Sequence, residues 1–399
     1  MKIFKLALFI GTLLSPCLAA AQIPIATGER EALLANSGIA RLGSAAAGLY
    51  NPAGLATVTQ SQLSASGTLF QNSSHHLSGT LTAHSDSFQS IPTQLSSIGV
   101  VRGYHYAFSV FTVRTYDHNV VLNTEIPGGF GIAPANLKAT GTSLLIGPSI
   151  GIPYQKNLYF GASLFLQKND DYFNSVLRVD AVGTTGQIHF LDQTEVQSST
   201  YELAPVLGVI WRYDDDTLLG ARLKPPQVSV SGHRKTMNQR VGYFVDNLSN
   251  VSDASVPVTN LKENSKTSSA PELALGYSRQ LPHQLSVVSD FTYSLKTKWR
   301  PSVSSEEVTW ADSFGLSVGA EWGTSASAWA GGLSYRQNNL RNDAGEVKAF
   351  TGLTLGYLTS TEHFDSGIGA AYTFGSGTSE GVTNKLVIVG LLVTSTYKF

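Results

Sequence analysis

Apolar and polar residues alternate with a period of two along most of the chain. Phe314, Leu316, Val318, Ala320 and Trp322 are separated by Gly315, Ser317, Gly319 and Glu321. Leu285, Val287, Phe291, Tyr293 and Leu295 interleave with Ser286, Asp290, Thr292 and Ser294. The stretch from Leu158 to Leu166 behaves alike, and the last segment puts Val387, Val389, Leu391, Val393, Tyr397 and Phe399 on one face. Successive side chains of a strand point to opposite faces, so the pattern predicts strands with one apolar and one small or polar face. Fourteen are expected, over 60–71, 93–101, 104–116, 140–152, 156–169, 201–213, 217–232, 267–279, 283–296, 311–322, 326–336, 349–358, 363–375 and 385–399.

A soluble sandwich alternates too, so the connections decide. Short gaps (Pro153 to Gln155, Asp214 to Asp216, Leu281-Pro282, Gly323 to Ser325) alternate with long ones (Asn72 to Pro92, Asp170 to Thr200, His233 to Lys266). Short turns at one end, long loops at the other and an even strand count describe a membrane-spanning barrel of the bacterial outer-membrane type. A closed barrel pairs every backbone group within lipid, which an open sheet cannot do. Tyr213, Tyr277, Trp322, Tyr335, Tyr357 and Tyr397 fall near expected strand ends, where interfacial aromatics belong. The expectation is an all-β, fourteen-stranded antiparallel transmembrane β-barrel spanning 60–399.

Composition agrees. Charged residues make up 14% of the chain, against about 25% in soluble proteins. The longest later apolar run, Leu386 to Val393, is far short of the roughly 20 residues of a membrane helix. Residues 1–21 read as a secretory signal: Lys2 and Lys5, an apolar stretch from Leu6 to Leu14, then Ala19-Ala20-Ala21 before a mature start at Gln22. A lipoprotein signal ending at Cys17 is the rival, weakened by Pro16 where a small residue is needed. Cleavage after Ala21 would remove the only cysteine and with it thiol chemistry. It would leave three more acidic than basic residues, which excludes a strongly basic nucleic-acid binder.

Ahead of the first strand, 22–59 has another character. Thr27 to Ala56 is rich in Ala, Gly and Leu and does not alternate, and it is long enough to fold back as a plug in the barrel. Asn51-Pro52-Ala53-Gly54 suits a β-turn with Pro second and Gly fourth. The run Asn51-Pro52-Ala53-Gly54-Leu55-Ala56, followed by Gln62-Leu63-Ser64-Ala65-Ser66-Gly67, resembles the FadL and toluene-transporter family of outer-membrane proteins. Gly208 to Tyr213 with Leu219 to Leu223 look like that family's middle hairpin, and Pro271 to Tyr277 with Asp290 to Ser294 like its eighth and ninth strands. The resemblance spans nearly the whole mature chain. It implies an N-terminal hatch carrying Asn51, Pro52, Ala53 and Gly54, fourteen strands, and passive transport of long-chain fatty acids or aromatic hydrocarbons. Two departures stand out. The loops 170–200 and 233–266 are only patchily apolar, with Phe173, Phe190, Tyr243 and Phe244 as candidate contacts for greasy cargo. The third expected strand, Tyr104 to Tyr116, has no internal Gly or Pro to supply the family's kink, which opens a side door in the wall.

Candidate chemistry is sparse. Arg222, Lys224, Lys296 and Arg336 are candidate anchors for an anionic head group, against the plainer reading of charges solvated in a wet lumen or rim. His75, His76 and His84 fall in the first long loop and read as exposed polar residues rather than a metal site. Asp214-Asp215-Asp216 reads as a turn, since no calcium-loop spacing surrounds it. Asp290 and Glu321 should face inward and could pair with basic lumen residues. No convincing Ser-His-acid set is present, so no enzyme and no cofactor is expected. Expected partners are a hydrophobic small molecule or fatty acid, outer-membrane lipid and lipopolysaccharide, and the barrel-assembly machinery through Phe399, with no nucleic acid. Two alternatives remain: a secretion or surface-protein partner built on the same fold, and a general porin, which should lack a plug.

Overall fold

A computed structural model describes residues 25–79, 83–126, 131–183, 186–246, 251–253, 256–264, 269–299, 308–337, 340–341, 349–379 and 382–399. The expected signal lies outside these residues. The strands begin with β1 (Gln62–Gly79), β2 (Ala83–Val101), β3 (Tyr104–Ile126), β4 (Gly131–Gln155), β5 (Leu158–Gly183), β6 (Gly186–Arg212), β7 (Thr217–Lys224), β8 (Val228–Asp246), the short β9 (Val251–Asp253), β10 (Val256–Asn264), β11 (Glu272–Leu281) and β12 (Leu285–Ser294). They are followed by β13 (Thr297–Trp299), β14 (Val308–Trp310), β15 (Ser313–Gly323), β16 (Ser327–Gln337), β17 (Leu340–Arg341), β18 (Ala349–Ser360), β19 (Phe364–Ser379) and β20 (Val382–Lys398). Every ladder is antiparallel, and β1 pairs with β20 from Gln62↔Lys398 to Gly79↔Val382, which closes the sheet.

The barrel has fourteen staves. Two of them are broken. β7 lies beside Leu207 to Arg212 of β6, and β8 continues beside the upper part of the same strand. Between them stand Pro225 and Pro226, which have no N–H to give to a ladder. β10 and β11 share the next stave in the same way, β10 on β8 and β11 on β7. The expected strand 217–232 therefore crosses a break. β13, β14 and β17 form a small separate sheet.

The apolar half of each alternation faces outward. Phe314, Leu316, Val318 and Trp322 are exposed on the outer wall, while Glu321 and Asp290 are buried inside. Lipid, not a protein core, is the partner of this surface. Trp211 packs edge-on to Tyr213, Trp329 on Tyr357, and Tyr397 on Phe399, all close to the short turns. One such turn is the aspartate run, where the Asp214 carboxylate accepts from the Asp216 N–H at 2.9 Å.

The expected long loops are a correction. Asn72 to Pro92 and Asp170 to Thr200 are almost entirely strand, paired from Gln71↔Gln89 to Leu77↔Ala83 and from Asn169↔Thr200 to Gly183↔Gly186. The ladders simply continue above the lipid band. There the outward positions meet water, so they carry Asn136, Lys138, Asp117 and Asn119 and the apolar alternation vanishes. His75, His76 and His84 therefore lie on strands. His76 and His84 oppose each other across β1–β2, whereas His75 is buried and bonds the Asn384 side chain at 2.6 Å.

The β2–β3 seam is an irregular join in the wall. Gln94↔Phe111 and His84↔Val121 are paired, but 85–93 and 112–120 form no ladder pairs with each other. Pro92 in β2 and bulges at Ser66/Gly67 and Thr112/Arg114 disturb the strands there. Side chains bridge the interval: Thr112 Oγ1 donates to the Pro92 carbonyl at 2.6 Å, and the Asn119 N–H to Ser85 Oγ at 3.1 Å. The third strand thus departs from its neighbour without a glycine or proline of its own.

Candidate binding pocket above the hatch

Residues 25–58 lie inside the barrel. They touch inward positions of strands all round the wall, from Gly151 on β4 through Gly208 on β6 and Gly276 on β11 to Gly369 on β19. The segment is a chain of short pieces: one-turn helices Arg30–Leu33 and Ala47–Tyr50, then a 3-10 helix Pro52–Thr57. Ala45, Ala46, Ala47, Ala53 and Leu55 are buried, so small side chains let the backbone pack tightly.

The motif Asn51 to Gly54 makes the turn its sequence suggests. The Gly54 N–H reaches the Asn51 carbonyl at 2.9 Å, and the Asn51 side chain caps the following helix by accepting from the Ala53 N–H at 3.2 Å. Pro52 occupies the first helical position, where its missing N–H costs nothing. The Asn51 amide also donates to the Ile39 carbonyl at 2.7 Å and to the wall carbonyls of Val209 at 3.1 Å and Ala221 at 3.3 Å. The wall answers with glycine. A Cβ at Gly208 would overlap Asn51, and one at Gly161 would overlap the backbone of Pro52 and Ala53. The turn is structural, and it is also the point where the hatch is fixed to β5, β6 and β7.

Other wall side chains hold the rest. Asp290 accepts from the Gly38 and Ile39 N–H groups at 2.6 and 3.0 Å, and Glu321 pairs with Arg41 at 3.0 Å and Arg30 at 3.4 Å. Alternation placed both acids inward; their partners are hatch residues. Thr354 Oγ1 donates to the Leu33 carbonyl at 2.6 Å and accepts from the Ala35 N–H at 3.1 Å. Thr396 hydrogen-bonds Glu29.

Above the hatch is a lumen pocket of about 340 Å³. Its floor is apolar: Leu49 of the hatch with Val113, Leu145, Phe165, Ala204 and Val206 of the wall. These belong to a buried cluster in which Phe111 meets Phe165 edge-on at 5.9 Å. One side of the pocket is cationic. Glu272 is ringed by Arg222, by Lys224 at 3.7 Å and by Arg336 at 3.6 Å, three cations around one carboxylate. On the other side the Asp171 carboxylate takes Arg114 at 2.7 Å and the Tyr116 hydroxyl at 2.9 Å.

The four candidate anchors separate. Lys224 and Arg336 line the pocket. Arg222 is buried and committed elsewhere, donating to the Leu49 and Tyr50 carbonyls at 3.3 and 3.2 Å and to Glu272. Lys296 is exposed and does not line the pocket. The loop aromatics separate too. Phe173 and Phe190 are buried, whereas Tyr243 is exposed and meets the His189 ring at a tilt, 4.8 Å between centroids. The side chain of Phe244 lies outside the described residues. Glu272 escaped the sequence reading, as did the floor; the available signals were the alternation of Glu272 with the outward Leu273, Leu275 and Tyr277 and the period-two spacing of Ala204 and Val206.

No family model matches the sequence, and no curated protein matches it. Solved structures match over nearly the full length. The Ralstonia pickettii toluene transporter TbuX is 16% identical with a TM-score of 0.62, covering 94% of this chain and 99% of that one. A Pseudomonas aeruginosa FadL homologue is 13% identical with a TM-score of 0.66, covering 96% and 100%. The Pseudomonas putida toluene transporter TodX is 14% identical with a TM-score of 0.65, covering 94% and 99%. The chain has the FadL-type fold.

Proposed function

We propose that this protein is a passive outer-membrane channel for hydrophobic compounds, and that its cargo is an amphiphile with an anionic head, such as a long-chain fatty acid. The carrying observation is the pocket above the hatch, where an apolar floor faces Lys224 and Arg336. Apolar pockets with a few placed polar groups are typical small-molecule sites. Lys224 and Arg336 share Glu272 with Arg222, so a carboxylate head would meet two cations on this side of the pocket that a neutral aromatic ring would not use. Toluene transport by TbuX and TodX, as their names state, supports the broader class of cargo. The packing of 25–58 across the bore argues against a general porin, which needs an open lumen.

Release sideways is favoured by the seam. Val113 and Arg114 line the pocket and sit within the unpaired interval of β3. A cargo tail leaving there would enter lipid without crossing the hatch.

The test is uptake by cells that carry the gene or lack it, with labelled palmitate and labelled toluene in parallel. Lys224→Gln with Arg336→Gln should cut palmitate uptake at least tenfold, since each hydrogen bond to a charged group contributes about 1.5–3 kcal/mol, and leave toluene little changed. Equal palmitate uptake with and without the gene would sink the proposal.

A further inference from the structure

Three acids line the lumen pocket, and two of them have cations of their own. Glu272 has Arg222, Lys224 and Arg336, and Asp171 has Arg114. The third, Glu202, has no ion-pair partner among the described residues. Arg114, whose charge reaches it, gives its bond to Asp171 at 2.7 Å. Glu202 is only 2% exposed, and it sits on the inward row of β6 that runs Thr200, Glu202, Ala204, Val206 into the apolar floor. Its Oε1 accepts from the Asn169 amide at 3.2 Å and from the Thr200 hydroxyl at 3.5 Å. Its Oε2 has no hydrogen-bond partner among the described residues. A carboxylate at that depth is costly until donors complete its shell.

The amides linked to Glu202 narrow what the missing donor can be. Asn169 Oδ1 accepts from Gln167 at 2.8 Å, and Gln167 Oε1 accepts from Gln227 at 2.6 Å. Both amide oxygens are therefore engaged within the wall. An ammonium brings three donors that each want an acceptor, whereas a hydroxyl brings one. One open acceptor, Glu202 Oε2, suits the hydroxyl. Lys224 and Arg336 line the same cavity, so a single small volume holds two cations, one buried acceptor and an apolar floor.

We infer that the cargo of this pocket is a hydroxylated fatty acid, with its carboxylate on Lys224 and Arg336, its hydroxyl donating to Glu202 and its tail on the floor beside Ala204 and Val206. The inference rests on the pocket reading proposed above and deepens it, because a plain alkyl chain would leave Glu202 without its donor. A site built around a buried acceptor discriminates against the analogue that lacks the hydroxyl.

The full chain, purified in detergent, is equilibrated with equal amounts of palmitate and a hydroxypalmitate, and the two bound acids are counted by native mass spectrometry. Isomers with the hydroxyl near the carboxyl end, at mid-chain and near the methyl end are each run against palmitate. The same mixtures are run on Glu202→Leu, so that partition into micelles cancels between the two proteins. For at least one isomer the parent's ratio of hydroxy acid to palmitate should exceed the variant's about tenfold or more, as one hydrogen bond to a charged group implies. Glu202→Gln keeps the shape and an acceptor but not the charge, so its ratio should fall between. It supplies the comparison if Glu202→Leu loses the heat-resistant mobility of a folded barrel. A merely structural role for Glu202 would weaken both acids together and leave the ratio unmoved. Equal ratios in the parent and the folded variants, for every isomer, overturn the inference while palmitate binding keeps the pocket reading standing. An aminopalmitate that displaces every hydroxypalmitate overturns it in favour of an ammonium. Failure of both palmitate and the hydroxypalmitates to bind overturns the pocket reading with it.

Discussion

Both halves of the hatch pack their backbone against wall glycines, but only one of them also carries ion pairs to the wall. From Ala45 to Val58 there is no charged residue, and the segment sits against β3 to β7 with glycines opposite its backbone. From Ile25 to Arg41 there are Glu29, Arg30, Glu31 and Arg41, and the wall meets them with Asp290, Glu321, Thr354 and Thr396. A dry contact between backbones has one geometry and no switch. A network of side-chain bonds can exchange partners with water one at a time. The second half is therefore the one that can let go, and the first is its anchor.

The largest effect should come from breaking the anchor. Gly208→Val would place two methyl groups in the space of the Asn51 side chain, and the carbonyls of Ile39, Val209 and Ala221 would lose their shared donor. Overpacking plus unsatisfied buried groups costs about 3 kcal/mol or more. The expected outcome is a barrel that still folds in lipid but with its hatch displaced, seen as single-channel conductance that the parent lacks. Normal closure in the variant would mean that the wall glycine is incidental.

A smaller effect separates the halves. Glu321→Gln removes ion pairs with Arg30 and Arg41 while leaving shape unchanged. Hydrogen bonds to charged groups such as these contribute about 1.5–3 kcal/mol. Hydrogen exchange should rise in 25–41 and stay unchanged in 45–58. Uniform acceleration across both stretches would show that the hatch opens as one body, which removes the contrast.

Much of this arrangement could be read in the sequence, for physical reasons that also explain where reading failed. Alternation such as Phe314 to Trp322 is forced by lipid on one side and a packed lumen on the other, so strand and face were both legible. Above the lipid the outward row is polar, as at Lys138 and Asp117, and the same strands looked like loops. Asn51 to Gly54 announced a turn because turn chemistry is local. Its wall partners lie more than 150 residues away, and no local rule points to them. Arg222 and Lys224 share a face of β7, two residues apart, yet one reaches down to hatch carbonyls and the other lines the pocket. Only the height of the hatch in the bore distinguishes them.

The smallest effect is one of pH and bears on the releasable half alone. Glu29 lies in the hatch near Thr396 at the short-turn end of the barrel, and burial raises its carboxyl from the usual 4.5 to about 7. The Thr396 hydroxyl and Arg30 oppose the rise, while Glu31 and Asp365 add to it. The folded value exceeds the unfolded one, so the packed hatch favours the protonated acid. Below about 4.5 the group is protonated either way and docking is not penalised. As pH climbs from about 4.5 to about 7 the docked segment loses stability, and above that the full penalty stays. Spin labels at Ala26→Cys and Thr361→Cys should therefore report a broader distance distribution at pH 8 than at pH 5. Glu29→Gln, which cannot ionise, should keep the narrow distribution at both. If the parent broadens toward acid instead, the anchor and the latch are not divided along the line drawn here, because acid would then be loosening Glu321 rather than relieving Glu29.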